Sequence, residues 1–271
     1  MKTTTVFLGG GRITSALIAG LRLGGDDRLI LVFDRNPEKL RALRRAGQVE
    51  TSHKLTSELF RDTEMLIVAV RPRSVEHLLD SIEKKIEASG LPVPRLCVSL
   101  AAGVPLHKLR GRLGPKARWA RAMPSPVCRV GRGLTALSFD RSVSQRDRKK
   151  VRDFFARVGA ILEIPEKQLD VFTATFSSSH GYHALSTLAE AAHAAGLDAV
   201  TAQIAAAHAL CDGIAYWRES GESLSDLLQE AATPGGTAAA TVAAMDSSGY
   251  ARAIRNGIRA GMQQARRNAR R

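Results

Sequence analysis

The chain has 271 residues, 44% of them hydrophobic and 24% charged, which supports a packed core and excludes disorder as the main state. At roughly 150 residues per domain the length points to two domains. Forty Lys and Arg against 26 Asp and Glu give a formal charge of +14, so an anionic partner is expected, whether nucleic acid, phosphate or carboxylate. The excess is uneven: from Arg252 onward stand Arg252, Arg255, Arg259, Arg266, Arg267, Arg270 and Arg271 and no acid.

Cys97, Cys128 and Cys211 are odd in number and show no C-x-x-C spacing. Neither a disulfide framework nor a metal site is expected, and a reducing cytoplasm is the simplest compartment. Lys2 runs straight into the strand-like T-T-T-V-F-L, which leaves no room for a signal peptide. The longest stretch free of Asp, Glu, Lys and Arg, 171–189, is long enough to span a bilayer. It holds Ser177, Ser178, Ser179, His180 and His183, however, which argues for a buried helix of a soluble protein and against a membrane partner.

In chain order, short β-branched or apolar runs predict strands at 3–8, 29–33, 65–70, 96–100, 117–121, 134–138 and 160–164. Helical patterns at 12–23, 37–46, 74–88 and 144–157 lie between them, with Asn36 and Pro37 as cap and first-turn residue of the second. Such alternation predicts a parallel sheet wrapped on both faces, a Rossmann-type α/β domain over 1–165. After Pro165 alanine dominates and strand formers thin out, so 166–271 is expected to be an all-α domain. Its small side chains give a thin core, and burial against a second copy, as a dimer, is the expected remedy.

The first strand runs into Gly9-Gly10-Gly11-Arg12-Ile13-Thr14. Glycines there permit a tight turn and close backbone approach, and the free N–H groups of the helix that follows suit a pyrophosphate. Thr14 takes the place of the fingerprint's third glycine. Asp34 ends the second strand at the spacing the fingerprint requires. Its carboxylate favours the ribose of NAD while Arg35 favours the 2′-phosphate of NADP, so NAD(P)H is the expected cofactor. Further strand ends carry Val70, Arg71 and Pro72, then Ala101, Ala102 and Gly103, then Met123 and Ser125. Ligands of open α/β sheets bind outside the carboxyl ends of strands, so these residues together are expected to line one edge. Near the C-terminus, Thr233 is read as an N-cap and Pro234 as the first helical residue. Gly235, Gly236, Thr237 and Ala238 follow, baring N–H groups that can clamp a carboxylate.

These segments, G-G-G-R-I-T, A-V-R-P-R, S-L-A-A-G-V, R-A-M-P-S-P-V, T-A-T-F-S-S-S-H-G-Y and T-P-G-G-T-A, resemble the marks of the pyrroline-5-carboxylate reductases. That family carries G-x-G-x-M-A, A-V-K-P-Q, S-x-x-A-G-V, R-x-M-P-N-T-P, T-A-L-S-G-S-G-P-A-Y and S-P-G-G-T-T in the same order over nearly the whole chain. The resemblance implies hydride transfer from a reduced nicotinamide to the C=N bond of a cyclic imine carboxylate, 1-pyrroline-5-carboxylate, giving L-proline. It also implies a homodimer or higher homo-oligomer. The cofactor site would then comprise Gly9, Gly11, Arg12, Ile13, Asp34, Arg35, Val70, Arg71, Pro72, Ala101, Ala102 and Gly103. Thr233, Gly235, Gly236, Thr237, Ala238, Met123 and Ser125 would hold the substrate.

Two departures stand out. The family's second threonine, whose hydroxyl meets the substrate ring nitrogen, is here Ala238, and the proline of its T-A-L-S-G-S-G-P-A-Y helix is here His180. An imidazole titrates near neutrality and could restore a proton donor, which makes His180, with Thr237, the candidate catalytic residue. A packing histidine is the competing reading, and packing is also the expected role of Tyr182 and His183. Cys128 has no base near it in sequence, so no nucleophilic role is expected. Two alternatives in function remain: reduction of a different cyclic imine, or dinucleotide binding without turnover. The terminal arginines fall close to one helical stripe with only Tyr250 among them, the pattern of a solvated face, so nucleic acid is not an expected partner.

Overall fold

A computed structural model describes residues 4–60, 62–89 and 94–270; expectations that fall on Lys2, Thr3, Arg271 and the Arg270 side chain lie outside them. The chain divides into two compact units, Met1–Ala174 with Gly261–Arg271, and Thr175–Ala260.

Among the described residues the first unit is built on eight strands: β1 (Thr4–Leu8), β2 (Ile30–Phe33), β3 (Glu50–Ser52), β4 (Thr63–Val68), β5 (Leu96–Ser99), β6 (Arg118–Pro124), β7 (Gly133–Phe139) and β8 (Gly159–Glu163). Its helices are α1 (Arg12–Leu23), α2 (Pro37–Gly47), α3 (Val75–Ser89), α4 (Leu106–Leu109), α5 (Gln145–Ala156) and α6 (Leu169–Thr175). The strands form one sheet in the order β3-β2-β1-β4-β5-β6-β7-β8. Strand order reverses between β1 and β4, which opens a crevice at their carboxyl ends.

Alternation along β1 shows how the sequence divides the core. Phe7 faces one way, onto Leu17, Ile18 and Leu21 of α1 and Phe154 of α5. Val6 and Leu8 face the other, onto Leu79 and Ile82 of α3. A strand covered on both faces has no polar side, which is why β1, β4 and β5 hold the continuous apolar runs 6–8, 65–68 and 96–98. Asn36 caps α2, its Oδ1 accepting from the N–H groups of Glu38 at 2.9 Å and Lys39 at 3.4 Å, with Pro37 at the first helical position.

The sheet is not parallel throughout. β6 and β7 pair antiparallel, with Arg121 opposite Ser138, and β7 then pairs parallel with β8. The reason is local: the link between β6 and β7 is too short for a crossover, which needs a dozen or more residues. β3 escapes sequence reading because Glu50-Thr51-Ser52 is polar and only three residues long. The stretch 171–189 is not one buried helix either. Ser177 breaks it and caps a new helix, α7 (Ser178–Ala194), of which only Ala189 is buried.

The second unit comprises α7, α8 (Ala199–Ser220), α9 (Leu224–Ala231), α10 (Thr237–Ser247) and the first part of α11 (Tyr250–Arg270). Asp198 starts α8 by accepting from the N–H groups of Val200 and Thr201, both at 3.0 Å. Gly221, left-handed at φ 74°, ends it. The buried side chains of α7 and α8 are all alanine: Ala189, Ala202 and Ala206. Ile204, Ile214, Tyr216, Trp217, Leu224 and Leu228 are all exposed.

Candidate active site

The glycine turn between β1 and α1 is held from both ends. Gly9 takes φ +115°, and a Cβ there would stand 2.6 Å from the carbonyl oxygen of Ala69 at the end of β4, so only glycine fits. Thr14 is fully buried, and its hydroxyl donates back to the Gly9 carbonyl at 2.6 Å. The residue that departs from the glycine fingerprint thus closes the turn with a side-chain hydrogen bond. No side chain caps α1, whose N-cap is Gly11, and a Cβ on Gly11 would meet nothing within 4 Å. The first-turn N–H groups therefore open onto free space at the positive end of the helix.

That space is a cleft of about 1130 Å³. It brings together Gly9, Gly11, Arg12, Ile13, Asp34, Arg35, Val70 and Arg71 of the expected cofactor set. Pro72, Ala101, Ala102 and Gly103 do not line it. Pro72 opens a 3-10 turn, Ala101 is buried, and Gly103 (φ +80°) lies against α11, where a Cβ would come within 2.0 Å of the Ala265 carbonyl oxygen. The cleft also recruits Lys39, Arg73, His77, Ser81 and Lys85. The spacing of 77, 81 and 85 along α3 was the signal available for that wall, since residues four apart share a helix face.

With Arg12, Arg35, Lys39, Arg71, Arg73 and Lys85 against the single acid Asp34, the lining suits a polyanion. Asp34 is itself engaged. Its Oδ2 accepts from the Gly10 N–H at 2.8 Å, its Oδ1 from the Asn36 N–H at 2.8 Å, and Lys39 Nζ stands 3.8 Å from Oδ2. Next to it, Arg35, Asn36, Lys39 and Arg41 edge a second hollow of about 880 Å³. An uncapped helix start, a turn that only glycine fits and a cationic wall match a dinucleotide's pyrophosphate.

The residues expected around a substrate are distributed differently. Met123 is buried with Ala136 and Leu169. Ser125 is buried, with Oγ accepting from the Val127 N–H at 3.2 Å. Cys128 is fully buried, and burial pushes its thiol up to about 11, the nearby Arg129 charge lowering it only in part; such a thiol is inert at neutral pH.

In the helical unit, α10 begins at Thr237, with Gly236 as its N-cap and Gly235 left-handed at φ +80°. Thr233 and Pro234 therefore precede the helix rather than start it, because the turn closes through the Gly236 N–H on the Thr233 carbonyl at 3.0 Å. No side chain caps α10, and Thr237 and Ala238 are exposed at its start. His180 is exposed in the first turn of α7.

A switch-point crevice, a glycine turn with an open helix start and a cationic wall define a Rossmann-type dinucleotide-binding protein, here joined to a separate helical unit. Residues 166–268 match the family model for pyrroline-5-carboxylate reductase dimerisation, and residues 4–102 match the model described as NADP oxidoreductase coenzyme F420-dependent. The pyrroline-5-carboxylate reductase of Mycobacterium leprae is 30% identical over 215 residues, covering 78% of this chain and 72% of that protein. That of Synechocystis is 29% identical over 264 residues, covering 95% of each. The crystal structure of Plasmodium falciparum pyrroline carboxylate reductase with NADP bound superposes with a TM-score of 0.85 at 20% identity, covering 99% of each chain. The chain belongs to the pyrroline-5-carboxylate reductase family.

Proposed function

We propose that the protein reduces the C=N bond of 1-pyrroline-5-carboxylate to L-proline, with NADPH or NADH as reductant. The observation that carries this reading is the cation-lined cleft at the open start of α1, in a chain of this family. When bound, the reduced nicotinamide supplies the hydride. The first-turn N–H groups of α1 and the side chains of Arg12 and Arg71 hold the pyrophosphate. Arg35 and Lys39 stand ready for a 2′-phosphate. In the helical unit, the uncapped start of α10 at Gly236, Thr237 and Ala238 is suited to a carboxylate.

A cyclic imine is protonated easily, so the site has no need of a strong acid, and orientation carries most of the rate. Thr237, and His180 in place of the hydroxyl that Ala238 lacks, are the groups of this chain suited to donate toward the ring nitrogen. The apolar side chains exposed on α8 and α9 support a homodimer as the working form. No helix among the described residues is long and apolar enough to cross a membrane, and three free cysteines fit a reducing compartment such as the cytoplasm.

The test is a spectrophotometric panel of imines with each cofactor. Oxidation of NADPH or NADH on addition of pyrroline-5-carboxylate supports the reading. Ala238 favours a second reading, another cyclic imine, which turnover of a six-membered or sulfur-containing ring alone would establish. Cofactor binding without turnover of any imine would overturn both.

A further inference from the structure

Arg121 is a charge in an unusual place. It sits in the middle of the sheet, on β6, flanked in register by Ser99 of β5 and Ser138 of β7, and is 3% exposed. Its Nη1 donates to Glu166 Oε1 at 3.2 Å, and Nη2 faces Asp170 Oδ1 at 3.7 Å, beyond hydrogen-bond reach. Burying a guanidinium costs more than one such pair returns, and an apolar side chain of similar volume is commonly as stable or more so. Stability alone is thus a weak reason for an arginine here.

What the pair does is visible one bond further on. The same oxygen, Glu166 Oε1, also accepts from the backbone N–H of Leu106 at 2.6 Å. Leu106 opens α4 and closes the loop that leaves β5 through Leu100, itself a lining residue of the cleft. On its other side that loop is fixed by Gly103, whose backbone lies against the carbonyl of Ala265 in α11. The segment from Leu100 to Leu106 is therefore held by close packing at Gly103 and by a hydrogen bond at Leu106, and the carboxylate that accepts this bond is paired with Arg121.

We infer that Arg121 is a positioning residue for hydride transfer: through Glu166 it fixes the Leu106 amide and with it the cleft-edge loop after β5. The inference rests on the function proposed above for its link to turnover. The clamp itself can be read without the reaction.

Arg121→Met and Glu166→Ala, made in the full-length protein, test it. Glu166 is only partly buried, so its removal leaves no large cavity and keeps the test open if Arg121→Met does not fold. Both variants are expected to lower kcat on pyrroline-5-carboxylate at least roughly tenfold. The affinity for NADP⁺, measured by calorimetry, should change less than about twofold. In cofactor-free protein the Leu106 amide should exchange with deuterium faster in both, while amides of β1 stay protected. The double variant should be no slower than the worse single one, because both act through one contact.

A folded Glu166→Ala protein with normal kcat overturns the proposal. So does a fall in kcat matched by an equal fall in NADP⁺ affinity, or unchanged exchange at Leu106. If the native protein turns over no pyrroline-5-carboxylate, the functional reading fails, and exchange at Leu106 still decides whether the clamp exists.

Discussion

The backbone N–H of Gly10 donates to Oδ2 of Asp34 at 2.8 Å, so the residue just after β2 reaches back to hold the turn that follows β1. With Oδ1 taken by the Asn36 N–H, the carboxylate is part of the loop's scaffold; of the cations beside it, Lys39 pairs with Oδ2 at 3.8 Å and Arg35 lines the cleft. Arg35→Ala is therefore expected to raise the KM for NADPH about tenfold, about 1.4 kcal/mol, with little effect on NADH. Asp34→Ala should weaken both cofactors alike by loosening the turn. Steady-state kinetics with each cofactor distinguishes this from the outcome the charges alone suggest, a shift toward NADPH once a repelling carboxylate is gone. That shift would show Asp34 to be a reader of the ribose.

Two glycines of the same turn should behave in opposite ways. At Gly9 a methyl group collides with the Ala69 carbonyl at an unfavourable φ, so Gly9→Ala should cost about 1–3 kcal/mol of folding stability in denaturant titration. At Gly11 a methyl group meets no protein atom. Gly11→Ala should keep the native melting temperature yet raise the cofactor KM at least about tenfold. Native cofactor affinity in that variant would move the phosphate site elsewhere.

The acid limb of stability has identifiable sources. Burial tends to raise the Asp26 carboxyl, but hydrogen bonds from the Arg28 side chain and backbone, with the charges of Arg28 and Arg157, outweigh it and hold the group below its ordinary value. For Asp140, burial is likewise outweighed, by hydrogen bonds from Ser142 and Arg110 and by the Arg110 charge. A carboxyl depressed in the folded state stabilises above its unfolded pKa, near 4, and that contribution is lost as the pH falls through the lower folded value. Unfolding free energy should thus be flat above about pH 5 and drop below about pH 4. Asp26→Asn should lower stability near neutrality by about 2 kcal/mol and flatten the acid limb. An acid limb unchanged in Asp26→Asn would assign it to other carboxylates.

The exposed apolar residues of α8 and α9, Ile204, Ile214, Trp217 and Leu228 among them, lead to the expectation of no folded monomer at micromolar concentration. Sedimentation that finds a stable, active species at the chain mass of 29.2 kDa would remove it.

His180→Ala should lower kcat on pyrroline-5-carboxylate about ten- to a hundredfold with cofactor KM little changed, the low end for a positioned acid because the iminium forms readily. Ala238→Thr, which returns the hydroxyl, should partly rescue that variant. Normal turnover without His180 would leave the histidine a surface role and point to another imine.

Much of the first unit is legible from local pattern because its elements are decided locally. The period of α1 gives Arg12–Leu23 directly, Asn36 and Pro37 start α2 by chemistry contained in the next few residues, and the glycine turn is recognisable because a strand precedes it and a helix follows. Even the antiparallel β6 and β7 pair was readable in principle from the short link between them. What the sequence could not decide are interactions that exist only once distant segments meet. The bond from Gly10 to Asp34 ties the end of β2 to a glycine turn 24 positions away. The bonds from Arg121 and Leu106 to Glu166 join residues 45 and 60 positions apart. A side chain's type limits which bonds it can make, but which partner it takes depends on strand order and on which distant segments meet beside β6, and only the folded chain sets those.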